Sequence, residues 1–175
     1  MIASKSLVGK PIVNITDGRI VGHISDVYLD RDLRRIVALH VGHEGLLNRK
    51  AQVILRENVE LFGVDTVLVR QSDVILSEEK VEDFEVWIRR DHLTGRSIDT
   101  PGGKRIARVD DVILDDEANV LGFALGFALG RTYIESPLAE SGVISRDIVI
   151  DTGQEDDIMT IDLEKAKQEH FLISA

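Results

Sequence analysis

Large apolar residues recur at every second position along most of this chain, in short runs bounded by Gly, Asp and Asn. A two-residue period is the mark of strands with one buried face, and closely spaced turn residues between such runs mark a small barrel or sandwich. The pattern predicts strands near 7–14, 19–30, 35–42, 51–55, 58–62 and 66–70, and again near 93–98, 104–115, 119–130, 142–144, 147–151 and 157–161. Between the two sets, Phe84, Val86 and Ile88 alternate, which predicts a strand or extended connector, although Ser77 before Glu78 and Glu79 also fits a helix cap. After Asp162, LEKAKQEHF places Leu163, Ala166 and His170 on one side of a short C-terminal helix.

The run NVLGFALGFALG (119–130) carries the alternation furthest. Leu121, Phe123, Leu125, Phe127 and Leu129 are large, while Gly122, Ala124, Gly126, Ala128 and Gly130 are small. A membrane span needs about 20 apolar residues, and Arg131 together with Asp115, Asp116 and Glu117 makes this run too short. A phosphate loop needs a following helix with lysine and hydroxyl, and neither follows. The reading is a strand with one bulky face and one bare face. The bare face, Gly122, Ala124, Gly126 and Ala128, is expected to meet another backbone, of the first half or of a second chain. On that reading Gly126→Val is expected to clash and to destabilise.

The two sets of strands are copies. SLVGKPIVNITDGRIVGHISDVYLDRDLRRIVALHVG (6–42) aligns with HLTGRSIDTPGGKRIARVDDVILDDEANVLGFALG (92–126). Gly9, Gly18, Asp26, Leu29 and Gly42 fall on Gly95, Gly103, Asp111, Leu114 and Gly126, with the one-residue gaps confined to polar turns. Gaps of that kind are expected of a duplicated β unit, because loops tolerate length changes and ladders do not. Later, RENVELFGVDTVLV and SRDIVIDTGQEDDIMTI share a shape. Within each copy the apolar spacing breaks once, at Ile24–Val27–Leu29 and at Val109–Val112–Leu114. One extra residue in a two-residue period predicts a β-bulge, with Asp26 and Asp111 holding the bend by accepting freed backbone N–H groups.

DGRIVGHISDVYLDRDLRRIVALHV, followed by GLLNRKAQVILRENVEL, resembles the signature of the PRC-barrel domain family. GGKRIARVDDVILDDEANVLGFAL repeats it. The family includes the cytoplasmic domain of the photosynthetic reaction-centre H subunit and the C-terminal domain of a ribosome-maturation factor. The resemblance implies an all-β chain of two small six-stranded antiparallel PRC-type β-barrels in tandem: residues 1–76, a connector 77–90, and 91–175 with the C-terminal helix. It also implies docking on protein, with no catalytic residue to carry over. The H subunit's N-terminal membrane helix and the maturation factor's separate N-terminal domain have no counterpart in this sequence.

Charge narrows the partners. With 31 acidic against 21 basic residues the chain carries a formal charge of −10, which disfavours nucleic acid and anionic lipid surfaces. There is no cysteine, so no disulfide, thiolate metal site or cysteine nucleophile arises. No signal-peptide pattern opens the sequence, and the expectation is a cytoplasmic protein without direct membrane insertion.

Candidate chemistry is thin. His40, His43 and Glu44 in HVGHE resemble metal ligands, but His40 is expected on a strand and His43 and Glu44 in a turn after Gly42, so the side chains need not converge. Asp151, Glu155, Asp156 and Asp157 lack the order of a calcium loop. Asp110–Asp111 and Asp115–Asp116 lack a cleft, and Ser136 and Ser141 lack a nucleophile elbow. No metal, cofactor or catalytic residue is therefore assigned. The expected role is a non-enzymatic interaction or scaffold module, homo-oligomeric, an accessory of a larger photosynthetic-type or other complex; its rivals are a small-ligand carrier or enzyme using the crevice between barrels, and a ribosome or RNA-processing accessory.

Overall fold

The alternating runs become strands in a computed structural model, which describes residues 1–44, 49–126 and 142–169. In the first half these are β1 (Ile2–Ala3), β2 (Pro11–Asn14), β3 (Ile20–His23), β4 (Asp26–Leu29), β5 (Ile36–Glu44), β6 (Lys50–Leu55), β7 (Val59–Phe62), β8 (Val67–Val69) and β9 (Ile75–Ser77). The connector supplies β10 (Ile88–Arg89) and runs into the single-turn helix α1 (Arg90–Leu93). The second half contains β11 (Ser97–Asp99), β12 (Arg105–Leu114), β13 (Val120–Gly126), β14 (Val143–Ser145), β15 (Val149–Asp151), β16 (Ile158–Ile161) and helix α2 (Leu163–Glu169). His170 and residues 127–130 of the longest expected strand lie outside the described residues.

The strands form three sheets, ordered β3-β2-β8-β7, β10-β4-β5-β6-β9 and β14-β13-β12-β11-β16-β15, the last carrying β1 on β12. The two halves pair alike. Ile12 faces Gly22 on one side and Val67 on the other; Ile98 faces Ala107 and Met159 in the same way. Asp26 lies opposite His40 and then Val53, where Asp111 lies opposite Ala124 and then Val143. One apolar core runs through both halves, from Leu7, Ile12 and Leu39 to Ile98, Phe123 and Met159, all fully buried.

Two expectations are corrected. The sheets are open, not closed barrels, and they are mixed, because β2 runs parallel to β8 and β11 parallel to β16. A 3-10 turn, Arg56–Asn58 or Arg146–Ile148, joins β6 to β7 and β14 to β15. The connector differs too: Phe84–Val86 is a 3-10 turn, and only Ile88–Arg89 pairs as strand.

The halves are interlocked rather than merely adjacent. At the start of the chain β1 leaves the first half and pairs with β12, Ile2 against Leu114 and Ala3 against Ile113. The connector does the converse: β10 pairs with β4, Ile88 against Leu29 and Arg89 against Tyr28. Between these exchanges the β4–β5 and β12–β13 turns meet through an antiparallel bridge, Arg35 to Asn119. Ile36 N–H donates to Ala118 O at 2.9 Å, and Val120 N–H donates to Arg34 O at 2.7 Å. Leu33 and Ala118 sit at matching places in those turns with φ of 52° and 65°. A left-handed conformation is unfavourable for both residue types, and both side chains are buried in the common core. The strain is offset by packing between halves.

Candidate functional site

Asp26 and Asp111 stand where sequence spacing put the irregularity. In the first half the strand breaks between His23 and Asp26; in the second, β12 runs through with a register shift between Val109 and Asp111. Each carboxylate accepts from the next backbone N–H, Val27 at 2.9 Å and Val112 at 2.8 Å. Their other partners cross between segments. Asp26 accepts from Arg90 Nε at 2.7 Å and from Asp91 N at 3.2 Å. Asp111 accepts from Ser4 Oγ at 2.5 Å and from Lys5 N at 3.2 Å. Both carboxylates are buried. They therefore fasten the two exchanged segments as well as bending strands.

A second matched pair was missed in the sequence. Arg56 donates from Nε and Nη2 to Glu117 O at 3.2 and 3.0 Å and from Nη1 to Val59 O at 3.0 Å. Arg146 donates to Asp32 O at 2.8 Å, to Leu33 O at 3.1 Å and to Val149 O at 3.3 Å. Each arginine clamps the turn of the opposite half. Its signal was the shared Arg, acidic residue and Val of RENV and RDIV, an internal match carrying charge instead of glycine.

The two histidines lie together, and the turn expected after Gly42 is strand. Strand β5 continues to Glu44, and the bulge between His40 and Gly42, with Gly42 at φ 135°, returns His43 to the face of His40. Their ring centroids are 4.7 Å apart and nearly perpendicular. His40 also meets the edge of Tyr28, which packs against Phe84 and Trp87 of the connector. The connector thus closes an aromatic cluster, with Val81 and Leu76 at its margin. His40 is buried with Nε2 unpartnered. Among the described residues no group of three or more His, Cys, Asp or Glu could hold a metal.

Burial, and then the nearby His43 and Arg89, hold the His40 pKa below its ordinary 6.5. Below pH 6.5 the unfolded chain then binds the proton more readily than the folded one, so stability is full above 6.5 and declines as pH falls. For this one group the slope is at most about 1.4 kcal/mol per pH unit. Trp87, the sole tryptophan, reports it: denaturant midpoints followed by its fluorescence are expected to fall between pH 6.5 and 5, and His40→Gln should flatten that part of the profile. An unchanged slope in the variant would remove His40 as the cause.

The remaining candidates are absorbed by local structure. Asp151 accepts from Gly153 N at 2.8 Å, Asp156 from Ile158 N at 3.1 Å, and Asp157 binds Arg96 at 3.1 Å. Asp115 holds its hairpin turn through Glu117 N and Asn119 N. Ser136, Ser141 and Ala128 lie outside the described residues. Gly122 pairs with Ser145 of β14, and Ala124 with Val143. Gly126 pairs with Arg108 of β12. A groove of about 690 Å³ between the halves is lined by Arg31, Trp87, His92, Arg96, Gln154 and Asp157. Arg96 is held there by Thr152 O at 2.6 Å and by Asp157.

The deciding comparison is with known families. Residues 1–78 match the PRC-barrel domain family. No curated protein matches the chain. The matched PRC-barrel segment ends just beyond β9, so it contains Asp26, Arg56, His40 and His43 but not Phe84 and Trp87, which pack on Tyr28. Among the described residues no helix is long and apolar enough to cross a membrane.

Proposed function

We propose that the protein is a non-enzymatic interaction or scaffold module of two interlocked PRC-barrel units, the second spanning 91–175 behind the connector 77–90. The equivalent strand pairings of the two halves support the second unit. One observation carries the functional reading: four buried charged side chains, Asp26, Asp111, Arg96 and Arg146, are engaged in holding segments together. A chain organised in this way offers surface, and it acts in the cytoplasm within a larger assembly, photosynthetic or other. Neither a metal nor a cofactor enters this reading.

Affinity purification of the full chain from its native host tests it. A stoichiometric protein partner retained through a salt wash is the expected outcome. Recovery of ribosomal proteins with RNA would favour an RNA-processing accessory instead. A bound small molecule without protein would favour a carrier using the groove beside Trp87 and Arg96.

A further inference from the structure

The sheet β3-β2-β8-β7 turns a row of apolar side chains outward. Ile20 pairs with Val13, Val13 with Leu68, and Leu68 with Leu61, so four residues in register cross all four strands. Their neighbours in sequence, Ile12, Val67, Val69 and Phe62, point into the core, so the row is on the other face. Ile20 is 61% exposed and Leu61 52%, and Ile15 and Val64, just past the ends of β2 and β7, are exposed too. Exposed apolar residues clustered on one face mark interaction sites.

The second half supplies an internal comparison. The equivalent cross-strand row is Arg105, Asp99, Thr160 and Asp151, paired in the same order. Every position that is apolar in the first half is polar in the second, and Arg105 binds Asp99 at 3.2 Å. The fold therefore does not require an apolar row there.

Charge selects the occupant. The chain carries −10, so most approaches of one copy to another are repulsive. This row is bracketed by two neutral ion pairs, Asp17–Arg19 beside Ile20 and Glu60–Arg70 beside Leu61. Reversing one row over another copy's row sets the Asp17–Arg19 end against the Glu60–Arg70 end, with opposite charges available to each. We infer that this face is a homodimer interface, with a second copy of the chain stacked on it antiparallel across a twofold axis. It deepens the interaction-module reading and rests on it.

Sedimentation of the full chain between about 1 and about 100 µM tests the inference. The parent is expected to dimerise within that range. Ile20→Lys and Leu61→Glu should each weaken the dimer at least about tenfold, as loss of an apolar anchor does, while Trp87 fluorescence and, at concentrations where the parent is monomeric, the denaturant midpoint stay at parental values. In the antiparallel stack Lys at 20 of one chain faces Glu at 61 of the other, so an equimolar mixture of the two variants should recover dimer. Leu121→Lys, an exposed apolar site on the second half, should leave the dimer intact. A parent that stays monomeric, or dimers indifferent to both row substitutions, would overturn the inference. So would a mixture that stays monomeric. Those outcomes leave the wider reading standing, since that one is judged by the proteins recovered from the host.

Discussion

Asp26→Ala is expected to cost about 3–5 kcal/mol, the usual loss when one partner of a buried ion pair is removed. The carboxylate is 6% exposed and Arg90 only 16%, so the guanidinium would be left in a site built for a pair. Arg89, 3.6 Å from the same carboxylate, would lose that partner too and keep only Asp91. Two further donors, Val27 N and Asp91 N, would lose their acceptor as well. The damage reaches the connector, since α1 is fastened to β4 through these bonds. Denaturant midpoints should fall, and Trp87 emission should shift towards its exposed value before global unfolding. Arg90→Gln in the same background should recover part of the loss by removing the unpaired charge. A midpoint within about 0.5 kcal/mol of the parent's, the range of ordinary surface substitutions, would mean that the exchange does not depend on this carboxylate.

Its counterpart should behave differently in degree. Asp111 accepts from a hydroxyl and from backbone N–H groups, so Asp111→Ala strands no cation. The expected loss is about 1.5–3 kcal/mol, the range for hydrogen bonds to a charged acceptor. The two sites share a geometry, and chemistry alone ranks them.

What the sequence made legible follows from what its periods encode. Alternation says which side of a strand is buried, and it placed the cores of β5, β6, β12 and β16 within a residue or two. Alternation is silent about which strand lies alongside. The parallel pairing of β2 with β8 therefore stayed hidden, and closed antiparallel barrels were expected. The exchanged strands β1 and β10 have two residues each, too few to show any period. The Asp26–Asp111 match was legible as an irregularity in spacing, but its partners Ser4 and Arg90 lie far off in sequence and follow no local rule. The sequence HVGHE leaves open whether His40 and His43 meet, because Gly42 fits a turn. A glycine inside a strand can equally form a bulge, and only the ladder to Gln52 decides between the two.

The bare face of GFALGFALG allows a sharper substitution test than Gly126 alone provides. A Cβ on Gly122 would lie 2.0 Å from Ile144 O and 3.0 Å from the carbonyl carbon of Ile144. Both belong to backbone of the neighbouring strand, so no side-chain rotation relieves the clash. At Gly126 the nearest described atom is Asp110 Cβ at 3.5 Å, an ordinary contact. Gly122→Val should thus cost about 3 kcal/mol or more, at or above the top of the overpacking range, because β13 and β14 must separate. Gly126→Val should fall within the roughly 1 kcal/mol span of strand propensity, which moves the expected clash from the second glycine to the first. The close approach at Gly122 is to a strand of its own sheet, so its loss should appear in denaturant midpoints with no change in sedimenting mass. A mass change in Gly122→Val at parental stability would instead place another chain against this face. Equal losses at both glycines would show that the spacing between β13 and β14 is not what makes the first one indispensable.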